Sequence, residues 1–339
     1  MYMDKGWKQV LAAVILGVFV PKIILSAAGW IVPRQQSSVQ EQPQTEATSA
    51  SQPTEATAEV PEQIVTYLPV LTGAGEVTVM ELEEYIRGVV LAEMPASFEE
   101  EALKAQAIVA RTYALKRQEE GIRHPDGAVC TDHTCCQAYI SDKDYLAEGR
   151  GNQTCIDKIA QAVEATQGQV LTYEGTLIEA TYFSCSGGRT EDAVAVWGTD
   201  VPYLQAVDSP GEENADAYWE QVYFTATEFA AALGRTLTGA PSSWLGKVTY
   251  TDGGGVATMY IGGICYEGTQ LRALLGLNST IFTMTASSGG ITVDMLGHGH
   301  RVGMSQYGAD AMAVTGSTCE EILAYYYQGT RIDKINTLG

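Results

Sequence analysis

The chain has 339 residues and carries 41 acidic against 20 basic side chains, a formal net charge of −21. That balance excludes a nucleic-acid binder working by phosphate neutralisation. It is compatible with a sugar polymer, which is gripped by hydrogen bonds and aromatic stacking, and Trp197, Tyr203, Trp219 and Trp244 are available for that.

Residues 10–32 form an almost wholly apolar run, interrupted only by Pro21 and Lys22 and long enough to cross a bilayer. Lys5 and Lys8 place residues 1–9 on the cytoplasmic side and the rest outside, in the cell membrane as a single-pass protein. A cleavable signal peptide is the alternative, since Ser26, Ala27 and Ala28 offer small residues for a cut. The apolar run continues past them to Val32, which favours an uncleaved transmembrane anchor. Residues 33–62 are mostly Gln, Glu, Thr, Ser, Ala and Pro, a composition that buries no core and predicts a disordered linker. Residues 63–339, about 275 in number, suffice for one large extracytoplasmic domain or two lobes sharing a groove.

Strands are expected at 64–71 and 77–80, followed by a helix over 81–94. Its apolar residues Leu82, Tyr85, Ile86, Val89 and Val90 fall at steps of three and four, while Glu83, Glu84 and Arg87 take the solvent side. Glu93 is the next member of the apolar series, and Pro95 then stops the helix. A carboxyl at the end of a buried face loses hydration, which raises its pKa and suits a general acid. The alternative is a frayed helix end with that carboxyl in water. A second helix over 100–118 offers Ala105, Val109, Thr112 and Tyr113 to the core.

Cys130, Cys135 and Cys136 then crowd together beside His124 and His133, within a total of seven cysteines. Thiolates and imidazoles at such spacing suit tetrahedral zinc. A disulfide from Cys130 to Cys135 or Cys136 is the competing possibility in an oxidising compartment. Cys155, Cys185, Cys265 and Cys319 read as ordinary buried thiols.

A short helix is expected at 156–166, then strands at 169–173 and 176–184 hinged on Glu174-Gly175. Further hairpins fit at 252–255 and 288–290, and Thr318 caps a last helix to about residue 327 with Glu320 and Glu321 at its N-terminus. The class is α+β, mixing helices with antiparallel hairpins. Between the last hairpin and the last helix lies Gly-His-Gly-His-Arg-Val-Gly-Met-Ser-Gln-Tyr-Gly-Ala, residues 297–309. Its glycines permit unusual backbone conformations and crowd His298, His300, Ser305 and Gln306 into one loop.

In fixed order the chain presents Leu82-Glu-Glu-Tyr-Ile-Arg-Gly-Val-Val-Leu-Ala-Glu-Met-Pro95, Leu103-Lys-Ala-Gln-Ala-Ile-Val-Ala-Arg-Thr-Tyr-Ala114, Ser184-Cys-Ser-Gly-Gly-Arg-Thr190, Pro202-Tyr-Leu204 and the glycine/histidine loop. Together these resemble the stage II sporulation protein D family over roughly residues 62–338. Two positions depart from its pattern: Arg301 replaces a glycine, and Cys185 stands where Thr or Ser is usual.

The resemblance implies a lytic transglycosylase that cuts the MurNAc-GlcNAc bond of peptide-stripped peptidoglycan and leaves a 1,6-anhydro end, in the engulfment step of sporulation. Glu93 would protonate the glycosidic oxygen and then deprotonate the C6 hydroxyl that closes the ring. Gln106, Arg111, Ser186, Tyr203, His300, Ser305 and Gln306 would line the substrate groove. Zinc ligands would be His124, Cys130, Cys135 and Cys136, a closed structural site, with His133 the substitute if Cys135 points away. Implied partners are the glycan strands, a cell-wall amidase and another membrane protein of the engulfment machinery. The alternatives are a non-catalytic enhancer of an N-acetylmuramoyl-L-alanine amidase, a zinc hydrolase on the cysteine cluster, and a Cys185 nucleophile with His298 or His300.

Overall fold

The computed structural model describes residues 65–335 apart from Ala74. The expected anchor and linker, residues 10–62, lie outside the described residues. Among the described residues no helix is long and apolar enough to cross a membrane.

Strand β1 (Tyr67–Leu71) pairs antiparallel with β2 (Val77–Glu81), which runs straight into helix α1 (Leu82–Glu93). Leu82, Tyr85, Ile86, Val89 and Val90 are all buried, as their spacing requires. Met94 is extended (φ −121°, ψ 139°), the conformation its following proline imposes. One expectation on this helix is corrected. Glu83 is not a solvent-side charge but is half-buried, paired at 2.6 Å with the fully buried guanidinium of Arg111. A buried cation is costly without a counter-charge, so it draws the nearest carboxylate inward.

That arginine belongs to α2 (Glu100–Glu120), which is buried on nearly every side and ends at Gly121 in the left-handed region (φ 60°). Because α2 runs through the centre of the first core, its polar residues Gln106, Arg111 and Thr112 are interior groups. Beyond it, β3 (Val129–Cys130) adds parallel to β1. Helix α3 (Asp142–Ala147) is capped by Ser141, and α4 (Gln153–Ala165) by Asn152. Strands β4 (Gln169–Tyr173) and β5 (Thr176–Leu177) turn over Glu174 and Gly175, at φ 52° and 82°, the expected hairpin. The second strand does not run on to Ser184. It breaks, and β6 (Tyr182–Phe183) forms separately before α5 (Ala193–Trp197).

Residues 219–296 build a second lobe with its own core around Phe229, Trp244, Ile261, Leu271, Ile291 and Val293. Its elements are β7 (Trp219–Thr225), α6 (Ala226–Ala232), β8 (Leu245–Tyr250), β9 (Val256–Ile261), β10 (Ile264–Glu267), α7 (Gly268–Leu275), β11 (Ile281–Ala286) and β12 (Gly290–Leu296). They form two antiparallel three-stranded sheets, ordered β10-β9-β8 and β11-β12-β7, with hairpin turns at both expected places. The chain then returns to the first lobe. There β13 (Met304–Ser305) pairs parallel with β6, α8 (Gln306–Val314) and α9 (Cys319–Tyr326) follow, and β14 (Arg331–Lys334) joins β4. Thr318 caps α9 in a reciprocal capping box with Glu321. The class is the expected α+β.

A buried polar knot joins the lobes. Arg301 takes a left-handed backbone (φ 68°), a conformation that favours glycine, and its side chain is fully enclosed. It donates to the carbonyls of Ser186 (3.0 Å) and Arg189 (2.8 Å) in the first lobe, and to Thr280 Oγ1 (3.2 Å) and the Gly253 carbonyl in the second. Glu191 stands 3.7 Å from Arg301 and accepts from Thr251 Oγ1 and the Gly253 N–H. A Cβ on Gly253 would come within 2.6 Å of Glu191 Oε1, so that turn needs glycine to close on the pair. Replacing Arg301 by Ala leaves Glu191 buried without its cation and should cost about 3–5 kcal/mol in denaturant unfolding. Arg301→Gly should be less damaging by about 1 kcal/mol, because it also relieves the left-handed backbone.

Candidate active site

Glu93 sits at the last turn of α1 and points into a groove. Two hollows, about 350 and 550 Å³, open on either side of it and share Glu93, Ser184 and Gln306 as common walls. The smaller is completed by Phe98, Tyr145, Arg150 and Tyr307. The larger carries Tyr182, Phe183, Trp197, Arg272, His298 and His300.

The position of the carboxyl is set by a loop that follows the cysteine cluster. The Ala138 N–H donates to Glu93 Oε1 at 2.9 Å. The same loop docks on α1 because residue 88 is glycine: a Cβ there would lie 2.2 Å from the Tyr139 ring, and the Gly88 carbonyl accepts from the Ile140 N–H. Gln306 Nε2 makes a long 3.5 Å contact to Oε2, and the Tyr182 hydroxyl, itself held by Gln137 Nε2 at 3.0 Å, adds a side-chain hydrogen bond. Burial raises the pKa of Glu93 and outweighs these donors, which favour the charged form.

Across the larger hollow stands the glycine/histidine loop. Gly299 (φ 125°) and Gly303 (φ 83°) are held in the left-handed region, and a Cβ at either would strike Phe183 or the Thr181 carbonyl. This close approach lays the loop along residues 181–185, where Cys185 and His298 exchange main-chain hydrogen bonds. His300 is wedged against the rings of Phe183 and Trp197, each 5.7 Å away. Burial lowers its pKa to about 4, so the ring is neutral near pH 7. Its Nδ1 accepts from the Val302 N–H, which assigns the proton to Nε2 and makes that atom a donor.

Of the residues expected to line the groove, His300 and Gln306 do so. The other five line neither hollow, for identifiable reasons. Gln106 is fully buried on α2. Arg111 is consumed by Glu83 and by the carbonyls of Gln169 and Val163. The Ser186 hydroxyl donates to buried Glu212. Ser305 caps α8 by accepting from the Gly308 N–H. Tyr203 packs on Tyr173, and its hydroxyl accepts from the Glu179 N–H. Trp244 is core, donating to the Thr238 carbonyl, and Trp219 is exposed outside both hollows, which leaves Trp197 as the tryptophan in the groove.

Tyr182, Arg272 and the Ala138 N–H stand at the groove without a local sequence signal. Tyr182 and Ala138 act through contacts made only when the loop closes on α1, and Arg272 reaches the groove from the other lobe. By contrast, the serine before Gln306 is an ordinary N-cap signal that marks where the loop becomes a helix.

His124, Cys130, Cys135 and Cys136 bring their ligand atoms within 4.8 Å of one another, with His124 Nε2 at 3.3 Å from Cys135 Sγ and 3.6 Å from Cys136 Sγ. Three thiols and one imidazole converging this closely fit a closed tetrahedral zinc site. His133 is exposed beside Asp132 and outside the cluster, and Cys135 is its fourth member. All seven cysteines are free thiols. Two of those expected to be buried differ: Cys265 is exposed and Cys155 half-buried. Cys185 is fully buried and donates to Glu212 at 3.0 Å. Burial and that carboxylate push its thiol far above the ordinary range, which disqualifies it as a nucleophile.

The fold and groove define a two-lobed protein with one desolvated carboxyl between two hollows and a cysteine/histidine cluster behind it. Residues 71–173 match the family model described as "Stage II sporulation protein". The chain is 44% identical to stage II sporulation protein D of Bacillus subtilis (strain 168) over 257 residues, 75% of this chain and 74% of that one. With the protein of the same name from Bacillus amyloliquefaciens the identity is 40% over 260 residues, 76% and 75% of the two chains. The amidase enhancer of Bacillus subtilis is 30% identical over 308 residues, 73% of this chain and 40% of that one. The chain belongs to the stage II sporulation protein D family.

The raised pKa of Glu93 has a stability signature. The folded state holds the proton to a higher pH than the unfolded chain, whose carboxyl titrates near the ordinary 4.5. Below that pH both states are protonated and nothing is lost. Above it, stability falls until the folded pKa is passed. Glu93→Gln should therefore raise the melting temperature at neutral pH, and the gain should vanish on acidification below about 4.5. Calorimetry across the pH range checks this; an equal gain at every pH would contradict the assigned burial cost.

Proposed function

We propose that this protein is a lytic transglycosylase acting on the MurNAc-GlcNAc bond of peptidoglycan strands. The observation that carries this is a single desolvated carboxyl flanked by two hollows, with no second free carboxylate among the described residues that line them. Glu179 is the other carboxylate lining them, and it is ion-paired with Arg117. A two-carboxylate hydrolase would need a second free carboxylate, which the described residues of this groove do not offer. One carboxyl of raised pKa can serve twice within one turnover. Glu93 gives its proton to the glycosidic oxygen as the bond to the anomeric carbon breaks. The carboxylate so formed takes the proton of the muramic C6 hydroxyl, whose oxygen closes on the anomeric carbon as a 1,6-anhydro ring. Atoms balance without water. The Ala138 N–H, Gln306 and Tyr182 steady the carboxylate stage, while the Trp197 face presents a stacking surface to the sugar.

Zinc at the cysteine/histidine cluster would be structural, since four protein ligands leave no open position. It would fix the loop that ends in Gln137 and Ala138, and so the groups that orient Tyr182 and Glu93. We further place the protein on the outer side of the cell membrane, held by residues 10–32, with a cell-wall amidase and another engulfment protein as partners. The 30% identity to an amidase enhancer favours one second reading, a cell-wall-binding enhancer without turnover of its own.

Incubating the full chain with peptide-free strands and analysing the ends by mass spectrometry separates the two. Anhydro ends should accumulate with the parental chain and fall about 10³-fold with Glu93→Gln, the usual worth of a general acid. Undiminished release by that variant would remove Glu93 from the mechanism, and no release by either would favour the enhancer. Zinc chelation should lower both turnover and melting temperature, each restored by added zinc; a melting temperature indifferent to chelation would argue against a structural metal.

A further inference from the structure

Two guanidinium groups line the larger hollow, and only one is occupied. Arg123 donates to the Tyr113 hydroxyl and the Cys135 carbonyl. Arg272 projects from α7 of the second lobe, and its buried Nε has no hydrogen-bond partner. No carboxylate pairs with it among the described residues, although the chain carries 41 of them. Burial depresses its pKa, and its charge is felt by both His298 and His300 across the hollow. A desolvated cation facing a groove with its donors unspent is costly to the free protein, and the usual resolution is a ligand anion. The guanidinium fork matches a carboxylate in two parallel hydrogen bonds, a geometry that neither lysine nor a neutral donor supplies.

Resting on the function proposed above, we infer that Arg272 is a specificity-determining residue that binds the lactyl carboxylate of a muramic residue seated in the larger hollow. Once a stem peptide is attached, that carboxyl is an amide: it bears no charge and presents one acceptor where two are needed. Arg272 therefore selects strands whose carboxyl is free. It also solves an electrostatic problem, because a surface of net charge −21 would otherwise repel a ligand bearing carboxylates.

Calorimetric binding to the full chain carrying Glu93→Gln tests this without turnover. The probes are three oligosaccharides of equal length: a GlcNAc-MurNAc strand with free lactyl carboxylates, the same strand with those groups converted to methyl amides, and a chitin oligomer that lacks the lactyl ether. With Arg272 present, the acid should bind about 10- to 100-fold more tightly than the amide, the range of a charge-assisted pair. Arg272→Gln should abolish that difference while leaving chitin affinity unchanged, and Arg272→Lys should restore only part of it. An acid-over-amide preference that survives Arg272→Gln overturns the inference. So does an equal loss on all three ligands, which would mark a merely structural residue. Absence of anhydro ends from the parental chain would sink the lytic reading yet leave this preference measurable, so the two failures are distinguishable.

Discussion

The site depends on one constraint: the Glu93 carboxyl must be kept out of bulk water yet open to a ligand. Helix α1 alone cannot do this, since its last turn would fray into solvent. The loop of residues 137–140 supplies the missing wall. It can lie against α1 only because Gly88 has no side chain, and it brings the Ala138 N–H to 2.9 Å from the carboxyl. That donor is an informative choice. A nearby ammonium or guanidinium would drive the pKa down and discharge the acid, whereas a backbone N–H steadies the carboxylate at modest electrostatic cost to the protonated form. Arg111, the arginine whose sequence motif invites a place in the groove, is neutralised by Glu83 inside the core.

The opposite wall arrives from far along the chain, and its placement rests on buried polar contacts. Glu212 collects hydrogen bonds from Ser186, Gly187, Ser209 and Cys185, pinning the Ser184–Gly188 segment beneath the glycine/histidine loop. Arg301 and Glu191 then tie that loop to the second lobe. Such networks add little net stability, but half-made they are expensive, so they specify one arrangement. The groove inherits that precision: His300 and Gln306 come from the first lobe's returning segment, Arg272 from the inserted lobe, and both must be in register with Glu93.

Periodicity identified α1, its buried face and the anomalous carboxylate, because those follow from contacts three and four residues apart. Turn chemistry located the Glu174-Gly175 hairpin and the Thr318 cap for the same local reason. The residues that line neither hollow share a cause. Gln106, Arg111, Ser186 and Ser305 belong to motifs that resemble groove residues, yet their burial is decided by which helix crosses the core and which carboxylate reaches them. A polar residue in a motif is as useful for holding a loop as for touching a ligand, and local sequence cannot separate these roles. The all-round burial of α2 likewise hid Arg111, since a helix without a polar face gives no amphipathic signal.

The cysteine/histidine cluster completes this logic. Residues 131–136 are exposed or half-buried and offer little apolar area to hold the loop against α1. Folding such a segment costs backbone entropy that hydrophobic contact there does not repay. A metal ion gripped by four side chains from residues 124 to 136 would offset that cost at a point one residue before Gln137 and two before Ala138. Those are the residues that set Tyr182 and Glu93. A closed metal site there would act on an acid it never touches, by limiting how far the donor at residue 138 can stray. The acid's raised pKa and the loop's rigidity are then two aspects of one arrangement: a looser wall would let water in and return the carboxyl to its ordinary range.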